Sequence, residues 1–279
     1  MIIITDTASD ILESEAKELD VRLAPFDISF GDEHCNRNTP EDLDRFYRLL
    51  TGGDEFPKTS QPSPECFLEH IQEAQERDED ALVIALTSTI SGSAESARLA
   101  AKLSGYDRVA VVDSRQAIVS ERMVVEYACR LRDEGKSLEE TVEAIQAFSE
   151  RIQISGILDT LTYLQKGGRI PASLARIGNL LKIKPLVAVE DGVLMSPTAA
   201  RGTAAAKKAI WKRLDPEHLD TSWPIYFVYA DRRDLAEKFA EETIEKFGLD
   251  SKNARVCQIS GTVGAHLGPG CFGYAFLTK

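Results

Sequence analysis

The 279-residue chain contains no run of about 18 apolar residues, the length a bilayer-crossing helix needs. Its opening, Met1-Ile-Ile-Ile-Thr-Asp6, has neither the basic start nor the long apolar stretch of a secretion signal, so a cytoplasmic location without stable membrane insertion is expected. Positive charge is scarce: 33 Lys and Arg against 45 Asp and Glu give a formal net charge of -12. Such a chain lacks the dense basic footprint that a phosphate backbone demands, which excludes nucleic acid as a partner. The five cysteines are scattered with no CxxC pair, and the four histidines lie far apart with no HExxH spacing. Reduced thiols, no structural zinc and no locally encoded metal site follow. Walker A, GxGxxG and GxSxG sequences are absent as well, so neither an ordinary nucleotide site nor an α/β-hydrolase nucleophile is supported, and no cofactor is expected.

What is present is a repeated design of apolar strand, polar turn and helix. Residues 81–86 form a short, almost unbroken apolar run, as a strand buried on both faces does. A hydroxyl-rich turn, Thr87-Ser-Thr-Ile-Ser-Gly-Ser93, leads into a segment where Ala97, Ala100 and Leu103 recur at helical spacing. Free N–H groups at such a helix entry favour an anion, and Gly92 removes the Cβ that would obstruct its approach. Ser93 reads equally well as the helix N-cap, which leaves Ser91 as the freer hydroxyl. Residues 2–5 running into Asp6-Thr-Ala-Ser-Asp10 repeat the design, with Asp10 as a candidate N-cap and Asp6 as a turn acceptor. A third strand, 108–113, ends in Asp113-Ser114. Between these, Thr39-Pro40 opens a helix, Lys58-Thr-Ser-Gln-Pro-Ser-Pro64 forces a loop, and another helix runs on to about residue 76. Amphipathic helices near 119–134 and 137–150 complete a half whose alternation predicts a Rossmann-like parallel sheet covered on both faces. Ligands of such sheets bind beyond the carboxyl ends of the strands, which draws Asp6, Ser91 and Asp113 towards a common cleft.

The second half reads differently. Asp191-Gly192 between apolar segments 186–189 and 193–195 predicts an antiparallel hairpin. Strands at 225–230, 254–260 and 271–277, with helices near 203–214 and 231–247, make a smaller α+β domain. The expected division is 1–150 and 151–279, with a ligand between or within the two.

Three separated stretches can converge on one anion: Thr59-Ser60, Ser91-Gly92, and His266 within Gly264-Ala-His-Leu-Gly-Pro-Gly270. Two hydroxyls, a backbone N–H and an imidazole nearly satisfy a carboxylate, and such a set is suited to holding a ligand rather than breaking a bond. Each stretch also fits a bland role, because hydroxyls cap helices and a lone histidine is commonly structural. A Ser91/His266 enzyme acting on a small acid or ester is the competing reading, although the sequence offers no orienting acid or oxyanion hole for it. Leu161-Thr-Tyr-Leu-Gln-Lys-Gly-Gly-Arg-Ile170 reads as a short helix stopped by two glycines, with Arg169 fixed at the turn. Together with Lys182-Ile-Lys-Pro185, Arg201, Lys207 and Lys208, it forms basic islands suited to docking.

Seven motifs carry a family resemblance: Thr5-Asp-Thr-Ala-Ser-Asp10, Lys58-Thr-Ser-Gln-Pro-Ser-Pro64, Ser91-Gly-Ser93, Val112-Asp-Ser114, Lys166-Gly-Gly-Arg-Ile170, Lys182-Ile-Lys-Pro185 and His266-Leu-Gly-Pro-Gly270. They span almost the whole chain, which closely resembles the DegV family, fatty-acid-binding subunits of bacterial fatty acid kinase. The resemblance implies a non-catalytic carrier that shields a long-chain fatty acid and presents its carboxylate to an ATP-dependent kinase catalytic subunit for acyl phosphate formation. It implies that Thr59, Ser91, Gly92 and His266 surround the carboxylate, and that Arg169 and Arg201 stand at the pocket mouth or docking face. A lipid-sensing regulator without a kinase is a further alternative. Here the family's Ser-Gly-Thr is Ser91-Gly-Ser93, and Arg115-Gln-Ala-Ile-Val-Ser120 replaces a glycine-bearing run.

Overall fold

The computed structural model describes residues 1–53, 55–171 and 182–279. Its strands are β1 (Ile2–Asp6), β2 (Val21–Ala24), β3 (Asp27–Phe30), β4 (Glu33–His34), β5 (Lys58–Ser60), β6 (Ala81–Ala85) and β7 (Val109–Asp113), then β8 (Ile152–Ile157), β9 (Ile183–Glu190), β10 (Val193–Arg201), β11 (Ile225–Tyr229), β12 (Ala254–Gln258) and β13 (Phe272–Leu277).

Four strands in the order β2-β1-β6-β7 form the expected parallel sheet. Alternation along β1 shows why it is buried twice over. Ile2 and Ile4 pack with Phe67 and Ile71 of the helix Pro64–Glu76 and Ala97 and Ala100 of the helix Ser93–Ser104. Ile3 points the other way, towards Met123 and Val124 of the helix Val119–Asp133.

The second sheet is six-stranded and mixed, ordered β10-β9-β8-β13-β11-β12, with only β11 and β12 parallel. One face, carrying Ile157, Phe227, Phe272 and Tyr274, is covered by Ile210 and Phe239 of the helices Thr203–Trp211 and Arg233–Phe247. The opposite face, with Ile154, Val187 and Val228, joins the same core cluster as the inner face of the parallel sheet. The two sheets therefore meet across shared apolar surface. The β9–β10 turn has Asp191 at φ 51° and Gly192 at φ 81°, both in the left-handed region that a two-residue hairpin of this hand requires.

Several local expectations shift. Of the stretch expected as a loop at 58–64, residues 61–63 are loop, but Lys58–Ser60 is a strand that pairs antiparallel with β3, placing Thr59 opposite Ile28 in a small sheet ordered β4-β3-β5. Glycine-rich 261–267 is helical and carries His266. Asp10 does not cap the first helix, Glu13–Glu18; it lies in the left-handed region and accepts from Ser260 N–H at 2.7 Å, reaching the start of the His266 helix.

Candidate functional site

The turn after β6 is built around Asp6. Its fully buried carboxylate accepts from Ala8 N–H (3.0 Å), Leu86 N–H (3.0 Å) and the Ser93 hydroxyl (2.5 Å). Burial raises its pKa above the usual carboxylate value, while these hydrogen bonds oppose the shift. Asp6 is thus a structural pivot rather than a cleft residue. Asp113 is also absorbed by the backbone, accepting from Ser88 N–H (3.2 Å) and Arg115 N–H (2.9 Å). Of the three residues expected in one cleft, only Ser91 lines the cavity found there. Gly92 is the N-cap position of the helix that follows, and its missing Cβ makes room for the Gln61 side chain, which a Cβ would overlap.

Ser91 Oγ accepts from Ser93 N–H at 3.2 Å, so its own hydrogen is left to donate elsewhere. Thr59 Oγ1 lies 2.9 Å from His266 Nε2. His266 Nδ1 is buried without a hydrogen-bond partner and is sealed against Gly167, where any Cβ would overlap it. Desolvation, with Arg169 nearby, pushes the imidazole down to about 4, so the ring is neutral at neutral pH. A proton on Nδ1 would be a buried donor without an acceptor, which favours the tautomer protonated on Nε2; that tautomer donates to Thr59 and leaves the threonine hydroxyl hydrogen for a ligand.

Arg169 lines the same cavity, half-buried, donating through Nε to Ile90 O (3.1 Å) and through Nη1 to Gly167 O (2.6 Å). It forms no ion pair among the described residues, and burial alone lowers its pKa. A partly desolvated guanidinium with no ion pair among the described residues, on the same cavity as the Ser91 and Thr59 hydroxyls, favours a small anion. Arg201, grouped with it by sequence, lies apart at the exposed end of β10.

The remainder of the cavity is apolar. Leu86, Ala117, Ile154, Val187, Val228 and Leu267 are among its walls, drawn from the parallel-sheet loops, the inner face of the mixed sheet and the His266 helix. Its open volume is about 70 Å³, several times the roughly 10–15 Å³ that holds one water. The β9–β10 hairpin closes one side. Thr87 and Thr89 hydroxyls both donate to Gly192 O at 2.6 Å, fastening the hairpin to the turn that carries Ser91. No sequence pattern singled out this latch, nor the bare backbone at Gly156 or the fit of Gly167 against His266, because all three depend on neighbours distant in the chain.

The family model described as "Uncharacterised protein, DegV family" matches residues 1–279. The chain belongs to the DegV family. A DegV domain-containing protein of Lactococcus lactis is 30% identical over 277 residues, covering 96% of this chain and 94% of its own. Among solved structures, a DegV family protein of Thermus thermophilus, described for its fatty acid binding, is 30% identical with a TM-score of 0.85, covering 100% of this chain and 99% of that one. The Streptococcus pneumoniae fatty acid kinase B3 protein, solved loaded with linoleic acid, shares the DegV fold at 24% identity and a TM-score of 0.85, with 100% and 99% coverage. In this DegV protein no described helix is long and apolar enough to cross a membrane. Among the described residues no group of three or more His, Cys, Asp or Glu side chains is arranged to hold a metal ion.

Proposed function

We propose that this DegV protein carries one long-chain fatty acid. Its carboxylate would be held by Thr59, Ser91 and His266 with Arg169 beside them, and its tail would occupy the apolar cavity between units 1–150 and 151–279. The observation that carries the proposal is the meeting of an apolar cavity with Arg169, which has no ion pair among the described residues, and with the Ser91 and Thr59 hydroxyls. Binding sites for small molecules are mostly apolar with a few placed polar groups, and a fatty acid matches both parts. Fatty acid binding by the Thermus thermophilus relative supports the same ligand.

The carrier has no chemistry of its own to perform. A Ser/His hydrolase requires a base turned towards Ser91, whereas His266 Nε2 faces Thr59 and Nδ1 is buried against Gly167 without a hydrogen-bond partner. We infer that an ATP-dependent kinase partner in the cytoplasm phosphorylates the held carboxylate, a role supported by the fold shared with a fatty acid kinase B protein. Arg201, exposed on an acidic chain, is assigned to docking that partner.

The test is acyl phosphate formation from a long-chain fatty acid and Mg-ATP with the kinase subunit, with and without this protein. Product should require both proteins, and the isolated chain should cleave neither ATP nor a test ester. Ester hydrolysis by the isolated chain that disappears in Ser91→Ala would favour the enzyme. Tight fatty acid binding without any phosphorylation would favour a lipid sensor.

A further inference from the structure

The floor of the cavity contains an opening that the protein's own packing does not require. Strand register places Val187 of β9, Gly156 of β8, Gly273 of β13 and Val228 of β11 in one row across the mixed sheet. Directly paired residues share a face, so two adjacent glycines leave a strip of bare backbone between two valines. Val187, Gly156 and Val228 all line the cavity.

The two glycines are there for different reasons. At Gly273 a Cβ would overlap the carbonyl oxygen of Ser155 and the Cα of Gly156, so the neighbouring strand demands glycine. At Gly156 the nearest atoms to a Cβ would be Phe272 O and Val187 Cγ2, both at 3.6 Å, and Cys271 Sγ at 3.8 Å, ordinary van der Waals distances. Gly156 does not have a positive φ either. Glycine inside a strand weakens it relative to alanine, and where neither backbone conformation nor neighbours call for it, it marks a place where a ligand comes close.

We propose that Gly156 is a specificity-determining position at which the acyl chain crosses bare backbone between Val187 and Val228, so that the side chain at 156 sets how much chain the cavity accepts. This rests on the fatty-acid reading above. Alanine at 156 fits the protein's own packing but projects its methyl group into the ligand's space, and valine projects two further carbons.

The experiment measures affinities for saturated fatty acids from ten to eighteen carbons, and for a cis-unsaturated eighteen-carbon acid, with the parent, Gly156→Ala and Gly156→Val. Ligand-free melting temperatures are recorded alongside. Gly156→Ala should melt no lower than the parent. Gly156→Val should lose tenfold or more in affinity for the longest chains while the shortest chain that the parent binds changes less than twofold. A chain-length profile unchanged in a folded Gly156→Val protein overturns the proposal, as does a lower ligand-free melting temperature for Gly156→Ala, which would show that packing requires the glycine. If the parent binds no fatty acid at all, the carrier reading fails first and takes this inference with it.

Discussion

Replacing Arg169 with methionine should separate stability from function. The guanidinium is half-buried, has no ion pair among the described residues and lines the cavity, a costly arrangement in the absence of ligand. Two backbone hydrogen bonds, to Ile90 O and Gly167 O, are lost with it; each contributes about 0.5–1.5 kcal/mol net. Relief of the desolvated charge offsets that loss, and methionine retains much of the apolar stem, so ligand-free stability should change by no more than about 1 kcal/mol. Ligand affinity has no such offset. A hydrogen bond to a charged group is worth about 1.5–3 kcal/mol, which corresponds to roughly ten- to hundredfold weaker binding. Urea unfolding of the ligand-free protein and fluorescence titration with a long-chain fatty acid read the two quantities. Unchanged affinity would remove Arg169 from the head-group site, and a large loss of stability with unchanged affinity would make it a structural residue.

Ser91→Ala should weaken fatty acid binding about tenfold or more, because it removes the one hydroxyl hydrogen left free at the helix entry, and isothermal titration measures it. Gly167→Ala suits the local backbone, at φ -74° and ψ -7°, but its Cβ would overlap His266 Nδ1; displacement of the ring should cost about tenfold in affinity in the same titration. Burial pushes Asp10 up to about 7, from about 3.9 in an unfolded chain. The folded state therefore keeps a proton that the unfolded state releases; this stabilisation is complete below about pH 4 and lost as pH rises through about 7. Asp10→Asn, which retains an acceptor for Ser260 N–H, should erase about 1–3 kcal/mol of the stability lost between pH 5 and pH 8 in urea unfolding, and an unaltered pH slope would refute the assignment. Arg201→Glu should leave fatty acid affinity intact while slowing acyl phosphate formation and weakening its dependence on salt; an unchanged rate at every salt concentration would sink the docking role.

The parallel sheet was legible because its strands are apolar on both faces: 2–5, 81–86 and 108–113 became Ile2–Asp6, Ala81–Ala85 and Val109–Asp113. Asp191-Gly192 fixed the hairpin for a local reason, since both residues adopt positive φ. Thr39 was legible as a cap and accepts from Asp42 N–H at 3.3 Å. Strand β8 was not recognised, because Ser155 and Gly156 interrupt its apolar pattern and it is stabilised by β9 and β13, which come later in the chain. The helix Gly261–Leu267 was hidden by its glycines, whose small size admits Phe46 and Tyr47 against it. Within the site, Thr59 and His266 were picked out by residue type, yet their 2.9 Å contact spans 207 positions and had no local signal. Arg169 and Arg201 look alike in sequence and differ only once the fold buries one and exposes the other.

The most direct measurement is mass spectrometry of lipid released by denaturing the purified protein, quantified against the chain. About one long-chain fatty acid per chain, absent from a control protein purified in parallel, is the expected result. No fatty acid above the control, together with no rise in melting temperature when fatty acid is added, would contradict the carrier function.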